Sequence, residues 1–122
     1  MRFRAMACEA ELTVAGRDHD RGALAAAAAE VRRIEAAYSR YRADSIVSRI
    51  NAAAGSGERI TVDEETAGLL DFAASLHSQS GGLFDVTSGI LRRAWDFQAG
   101  RLPEESALAA LRARIGWHRV DW

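Results

Sequence analysis

The chain has 122 residues, a length that fits one domain with a moderate core. Hydrophobic residues make up 48% of it and charged residues 27%, close to an ordinary soluble protein. Sixteen basic and seventeen acidic residues leave a net charge of −1, so no basic field for nucleic acid or anionic lipid is predicted.

Membrane insertion, secretion and cysteine or lysine chemistry are not indicated by the sequence. The alanine run at residues 25–29 is flanked by Arg21 and Glu30 and is too short to span a membrane. The N-terminus has no apolar signal core, so we expect a cytoplasmic protein. Cys8 is the single cysteine, and the chain contains no lysine, which excludes an internal disulfide and a Schiff base.

The N-terminal half begins with an extended segment and continues into helices. Residues 2–15 alternate in hydrophobicity, with a change of phase that suggests a bulge or break at residues 8–10. Residues 16–20 are predicted to be a turn. Apolar residues then recur on one helical face from Arg21 to Tyr38. Asp44 and Ser45 both qualify as N-caps of a short helix that runs through Asn51.

The C-terminal half alternates between helix and strand signals. Residues 59–62 predict a short strand, and Asp63 opens a helix that ends at Gly81. Further helices are expected at residues 88–95 and from Pro103 to Ile115, followed by a strand-like alternation at residues 117–122. We therefore predict one domain, residues 1–122, of α/β class (α+β type), with short strands against three or four helices.

Two polar clusters are candidates for a ligand site, and each has a plain structural alternative. Residues 80–87 read Ser80-Gly81-Gly82-Leu83-Phe84-Asp85-Val86-Thr87. They are either a ligand-binding turn or a Schellman helix end with Asp85 as the next N-cap. In residues 39–51, Tyr41 could stack on a planar ring while neighbouring groups bond phosphates. The alternative there is a solvated, capped junction between helices.

Taken together, three ordered segments resemble the ApbE family, the FAD:protein FMN transferases. Ala5-Met6-Ala7 is similar to the family's Met-Gly-Thr element, and residues 39–51 are similar to its Ser-x-Tyr…Asp-Ser…Ser-x-x-Asn segment. Residues 80–87, with Leu91 and Trp95-Asp96-Phe97, resemble its Gly-Gly-x-Phe-Asp-x-Thr…Leu…Trp-x-Phe segment. Ala7-Cys8 departs from the family's Gly-Thr, and Gly89-Ile90 departs from its frequent Gly-Pro.

The resemblance implies a set of cofactor-binding residues, with no catalytic or metal residue assigned in this chain. Met6 and Tyr41 would lie against the flavin ring, and Leu83, Phe84 and Asp85 would line the FAD site. FAD is the implied substrate, and its FMN part would pass, with Mg²⁺, to a Thr or Ser of a target flavoprotein subunit. Our own inference from charge adds Arg40 or Arg42 as holders of the pyrophosphate.

Family members are roughly twice this length or more, so the resemblance also implies that residues 1–122 correspond to the N-terminal half. The magnesium ligands are then expected in the other half, and catalysis is expected to need it. The predicted strand at residues 117–122 would be an apolar edge strand without a neighbour in the sheet. A homo-oligomer could supply that neighbour instead. The alternative function is a non-catalytic FAD-binding or assembly module.

Overall fold

The computed structural model describes residues 1–15, 21–95 and 100–122, which form two compact units, Met1–Val62 and Asp63–Trp122. The described residues form one two-stranded antiparallel sheet, four α-helices and two 3₁₀ helices. This mixed content confirms the predicted α+β class. The predicted turn at residues 16–20, and Asp96 and Phe97 of the Trp-x-Phe segment, lie outside the described residues. The assignment of residues 1–122 to one domain stays a prediction.

A β-hairpin opens the first unit. Strands β1 (Arg2–Ala5) and β2 (Cys8–Glu11) pair with Ala5 opposite Cys8, so the connecting loop contains two residues, Met6 and Ala7. Both have positive φ, 53° and 65°, as a type I′ hairpin turn requires. The break in alternation is therefore a reversal of the chain at residues 6–7, not a bulge at residues 8–10.

Two helices complete the first unit. Helix α1 (Arg21–Ala37) contacts β1, and the guanidinium of Arg32 lies 5.3 Å from the ring centre of Phe3. Helix α2 (Ile46–Ala53) is capped by Ser45, whose Oγ accepts the Ser48 N–H at 3.0 Å. Of the two predicted caps the structure selects Ser45, which is 2% exposed.

The predicted strand at residues 59–62 is wrong. Ile60 and Val62 are half-buried and their neighbours are exposed, as the alternation indicated, but the segment has no ladder partner among the residues that the structure describes. A strand needs a neighbour to pair its backbone groups, and alternation alone does not supply one.

Helix α3 (Glu64–Gln79) begins the second unit where the sequence placed it. Asp63 caps it by accepting the Thr66 N–H at 2.8 Å. Its C-terminus is a Schellman motif, in which Gly81 N–H bonds the Ser78 carbonyl and Gly82 N–H bonds the His77 carbonyl. Gly81 has φ 62°, a left-handed conformation in which glycine carries no Cβ penalty. This part of residues 80–87 confirms the structural alternative.

The rest of the second unit consists of short helical segments. A 3₁₀ helix spans Val86–Arg93, and α4 (Glu105–Arg112) contacts it. Pro103 precedes the N-cap Glu104 and is not the first helical residue, and α4 ends three residues before the predicted Ile115. The predicted C-terminal strand is also wrong, because Trp117–Arg119 is a 3₁₀ turn whose first N–H is bound by Asp85.

The buried apolar residues of the described chain are small: Ala5, Ala28 and Ala73. No large side chain is fully buried in the described ranges. Burial of apolar area therefore stabilises these units less than it stabilises a domain with large core residues. Hydrogen-bonded caps and turns account for a larger share of the stability.

Candidate functional site

The hairpin turn of the first unit is held by a carboxylate from α1. The N–H of Met6 donates to Glu35 Oε1 at 2.6 Å. This charge-assisted bond stabilises a turn in which two residues other than glycine have positive φ. The Met6 residue is 57% exposed, so the turn presents it outward from the unit.

An open groove of about 410 Å³ lies beside this turn, and its lining residues come from α1 and the segment that follows it. The lining residues are Arg32, Glu35, Ala36, Ser39 and Arg42. Because Glu35 both lines the groove and binds Met6 N–H, the hairpin turn and the polar segment after α1 belong to one local arrangement.

Tyr41 follows the groove residue Ser39 by two positions and is 75% exposed. Ser39 Oγ accepts the N–H groups of Tyr41 and Arg42, at 3.2 and 3.3 Å, which fixes the backbone of this segment. The guanidinium of Arg40 lies 5.1 Å from the Tyr41 ring centre and donates to the phenol oxygen at 3.0 Å. The phenol ring is thus presented at the surface beside a fixed cation.

The two arginines expected to hold a pyrophosphate are both engaged with neighbours. Arg42 forms a two-bond pair with Asp44, Nε to Oδ1 at 3.0 Å and a terminal nitrogen to Oδ2 at 2.7 Å. Hydrogen bonding to Asp44 and its charge raise the pKa of Arg42, and the same contacts lower the pKa of Asp44. The side chain of Ser45 donates to the Ser39 carbonyl, so the segment is also the capped helix junction of the structural alternative.

In the second unit, Leu83 and Phe84 lie in the loop between α3 and the 3₁₀ helix. Leu83 is 93% exposed and Phe84 42% exposed, although both are large apolar side chains. The N–H of Phe84 donates to Ser80 Oγ at 2.9 Å, which fixes the loop backbone. The loop therefore presents two apolar side chains to solvent from a backbone held by hydrogen bonds.

Asp85 has a different environment, because its carboxylate is bonded within the protein. Oδ1 accepts the N–H of Thr87 at 2.8 Å and its hydroxyl at 2.6 Å. Oδ2 accepts the N–H of Trp117 at 2.9 Å and lies 3.5 Å from Nε2 of His77. The side chain is 10% exposed.

These contacts lower the pKa of Asp85. Desolvation by burial is the largest single influence and acts in the opposite direction, since it disfavours the charged form. The hydrogen bonds from the Thr87 side chain and from the backbone N–H groups of Thr87 and Trp117, with the charge of His77, together outweigh it. Asp85 is therefore held as a carboxylate that accepts hydrogen bonds.

The structure places the five sequence-predicted binding residues in two groups. Met6 and Tyr41 lie in the first unit. Glu35 binds the Met6 N–H and lines the groove together with Ser39 and Arg42 of the Tyr41 segment. Leu83, Phe84 and Asp85 are consecutive in the second unit. Glu35 itself was not predicted as part of a site, and its only sequence signal is its place one helical turn before Ser39.

Metal-binding and membrane-spanning features were searched for in the part of the chain that the structure describes. In residues 1–15, 21–95 and 100–122, no three His, Cys, Asp or Glu side chains come together as a group able to hold a metal ion. No helix in these ranges is long and apolar enough to cross a membrane.

Comparison with known proteins gives one family. The family model of the ApbE family matches residues 6–122. No curated protein gives a significant match to the chain, and no solved structure does.

Proposed function

The chain belongs to the ApbE family, and from that premise we propose that it acts as an FAD:protein FMN transferase. Membership of this family supports a flavin-transferase type of function in general. In the proposed reaction a Thr or Ser hydroxyl of a target flavoprotein forms a phosphoester bond with the FMN phosphorus. The bond from that phosphorus to the AMP oxygen breaks, the hydroxyl proton is released, and AMP leaves.

The arrangement in the first unit supports a flavin contact. Met6 and Tyr41 are both exposed, and the Met6 N–H is bound by the groove residue Glu35. An isoalloxazine ring needs apolar and aromatic surface for its faces and polar groups near its edge, and this combination fits it. The observation that carries the proposal is that Glu35, which binds the Met6 N–H, lines one groove together with Ser39 and Arg42 of the segment that contains Tyr41. The segment of Leu83, Phe84 and Asp85 is proposed as a further part of the FAD site, with Leu83 and Phe84 as its exposed side chains.

Magnesium is part of the proposal but not of the described site. We assign the ion no ligand among the described residues. We propose, from the family resemblance, that its ligands lie outside residues 1–122 and that this chain contributes the flavin-contacting part of the enzyme. No step of the reaction is assigned here to a side chain of this chain.

The proposal is tested first by binding and then by transfer. The purified chain is titrated with FAD while tryptophan fluorescence is followed, with FMN and AMP as controls and with Mg²⁺ present or absent. Saturable binding of FAD is the expected result. If a chain with a folded circular dichroism spectrum does not bind FAD, the flavin-contacting role is wrong for this chain.

Transfer is then measured by mass spectrometry on an acceptor peptide that contains a Thr, with FAD and Mg²⁺. We expect no FMN transfer by the 122 residues alone and transfer when the remainder of the enzyme is present. FAD binding with no transfer under the second condition would favour the alternative, a non-catalytic FAD-binding or assembly module.

A further inference from the structure

We propose that Asp85, with Thr87, is a positioning residue that fixes the loop bearing Leu83 and Phe84 and does not itself contact flavin. The hydrogen-bonded arrangement of Asp85 and Thr87 with the backbone of Gly116 and Trp117 is called the Asp85 clamp. The existence of the clamp is independent of any ligand. Its effect on FAD rests on the function proposed above.

The loop of residues 81–84 is held at both of its ends. At the first end the Schellman bonds fix it to α3, with Gly82 N–H to the His77 carbonyl at 2.9 Å. At the second end Asp85 begins the 3₁₀ helix and accepts the Thr87 N–H. Between these points Leu83 and Phe84 project from a backbone with little freedom.

The lone pairs of the Asp85 carboxylate are already used within the protein. A carboxylate offers about four acceptor positions. Three are taken by the Thr87 N–H, the Thr87 hydroxyl and the Trp117 N–H, and His77 lies beside the fourth. The Asp85 side chain is 10% exposed, so a ligand could form a hydrogen bond with it only by replacing one of these contacts.

Thr87 extends the clamp by one residue. Its hydroxyl proton is donated to Asp85, so the oxygen can accept the N–H of Gly116, at 2.9 Å. Two consecutive backbone N–H groups, of Gly116 and Trp117, are thus bound by side chains from the start of the 3₁₀ helix. Two short side chains thus join segments whose bonded residues are 29 and 32 positions apart in the sequence.

The clamp is tested without any ligand by amide hydrogen exchange followed by NMR. In the wild-type chain the Gly116 and Trp117 amides are expected to be protected. Thr87→Val should speed the exchange of the Gly116 amide, and Asp85→Asn that of the Trp117 amide, each by about tenfold or more, because each variant removes or weakens the acceptor of that amide. Thr87→Ser keeps the hydroxyl and should restore the protection that Thr87→Val loses.

Glu104→Gln is the matched control, since it removes one negative charge from a cap that makes no side-chain hydrogen bond. Its exchange pattern at residues 116 and 117 should equal that of the wild type. Unprotected amides in the wild type, or unchanged exchange in Thr87→Val, would overturn the clamp. Thr87→Val leaves Asp85 in place, so the test stands even if Asp85→Asn does not fold.

An FAD titration of the same variants separates positioning from direct contact. Positioning predicts weaker FAD binding in both Asp85→Asn and Thr87→Val, with recovery in Thr87→Ser. Weaker binding in Asp85→Asn alone, with protected amides, would show that Asp85 contacts the ligand and overturn the proposal. If the wild type binds no FAD, the proposed function fails, and amide exchange still decides whether the clamp exists.

Discussion

The backbone N–H of Trp117 donates to Oδ2 of Asp85 at 2.9 Å, although the two residues are 32 positions apart in the sequence. The same carboxylate caps the 3₁₀ helix through Thr87. One side chain thus ends a loop, starts a helix and binds the C-terminal segment. Its removal should affect stability as well as any ligand that the loop contacts.

Replacing Asp85 by Asn should lower the free energy of unfolding by about 1.5–3 kcal/mol, the range for hydrogen bonds to a charged group. The amide has a single oxygen, so its NH₂ group would face one of the N–H donors of Thr87 or Trp117. Urea unfolding of the variant and of the control Glu104→Gln checks this. A loss no larger than that of the control would mean that the carboxylate contacts add little to stability.

The stability that Asp85 contributes should depend on pH in the acid range. Its folded-state pKa is below the ordinary value for aspartate, about 3.9. The contribution is therefore present above that value and is lost progressively as the pH falls from it through the folded-state pKa. The facing titratable group is His77, whose Nε2 is 3.5 Å from Oδ2.

Urea unfolding of wild type and Asp85→Asn at a series of pH values measures this contribution. The difference in unfolding free energy between the two proteins should be constant near neutrality and shrink below about pH 4. A difference that grows on acidification would contradict the lowered pKa.

Gly116→Ala should be destabilising by about 1–3 kcal/mol, the usual cost of a strained backbone position. Gly116 has φ 155°, and a Cβ there would lie 2.4 Å from Cε1 of the His118 ring. Thermal unfolding checks the loss. Gly68→Ala is the matched control, because this helical glycine has open space around it and the change should stabilise α3 by about 1 kcal/mol.

Ala7→Gly should raise the free energy of unfolding by about 0.5–1 kcal/mol. Ala7 has φ 65°, where an L side chain costs about 1–2 kcal/mol and glycine does not, and the entropy cost of glycine offsets part of the gain. Ala10→Gly, in β2 and without positive φ, should instead be destabilising by a similar amount. Denaturant titrations of both variants check the opposite signs, and equal signs would argue against the two-residue turn.

Tyr41→Ala should weaken FAD binding by about 1–2 kcal/mol if the phenol ring stacks on flavin. Because Tyr41 is 75% exposed, the same change should leave the melting temperature nearly unchanged. Tyr41→Phe keeps the ring and removes the oxygen bonded by Arg40, so it should bind FAD almost as the wild type does. FAD titrations measure all three proteins, and unchanged affinity in Tyr41→Ala would remove Tyr41 from the site.

Local signals in the sequence predicted the existence of the helices, and at α2 and α3 also their caps. Ser45 and Asp63 cap α2 and α3 through bonds to residues three positions on, and Gly81 ends α3 in the expected left-handed conformation. These features depend on neighbouring residues, so a local pattern contains the information. The two wrong strands, at residues 59–62 and 117–122, both needed a distant partner that no local pattern can reveal.

The departure at Ala7-Cys8 from the family's Gly-Thr also becomes clear only in the structure. Ala7 has a left-handed backbone conformation in the hairpin turn. The family's glycine would adopt this conformation without strain, whereas alanine does not. The carboxylate of Glu35, 29 positions from Met6, holds that turn. The change of phase in the sequence indicated a break in the extended segment. It did not indicate that the chain reverses its direction there.

The sequence by itself determined the N-cap and the glycine end of α3, the loop at residues 81–84 and the motifs that indicated the family, because these depend on contiguous residues. Only the tertiary structure decided which polar groups are used up in holding the fold. It turned Asp85 toward Thr87 and Trp117 while leaving Leu83 exposed. The physical reason is that burial and hydrogen bonding of a side chain depend on residues far away in sequence, whereas its chemical type does not.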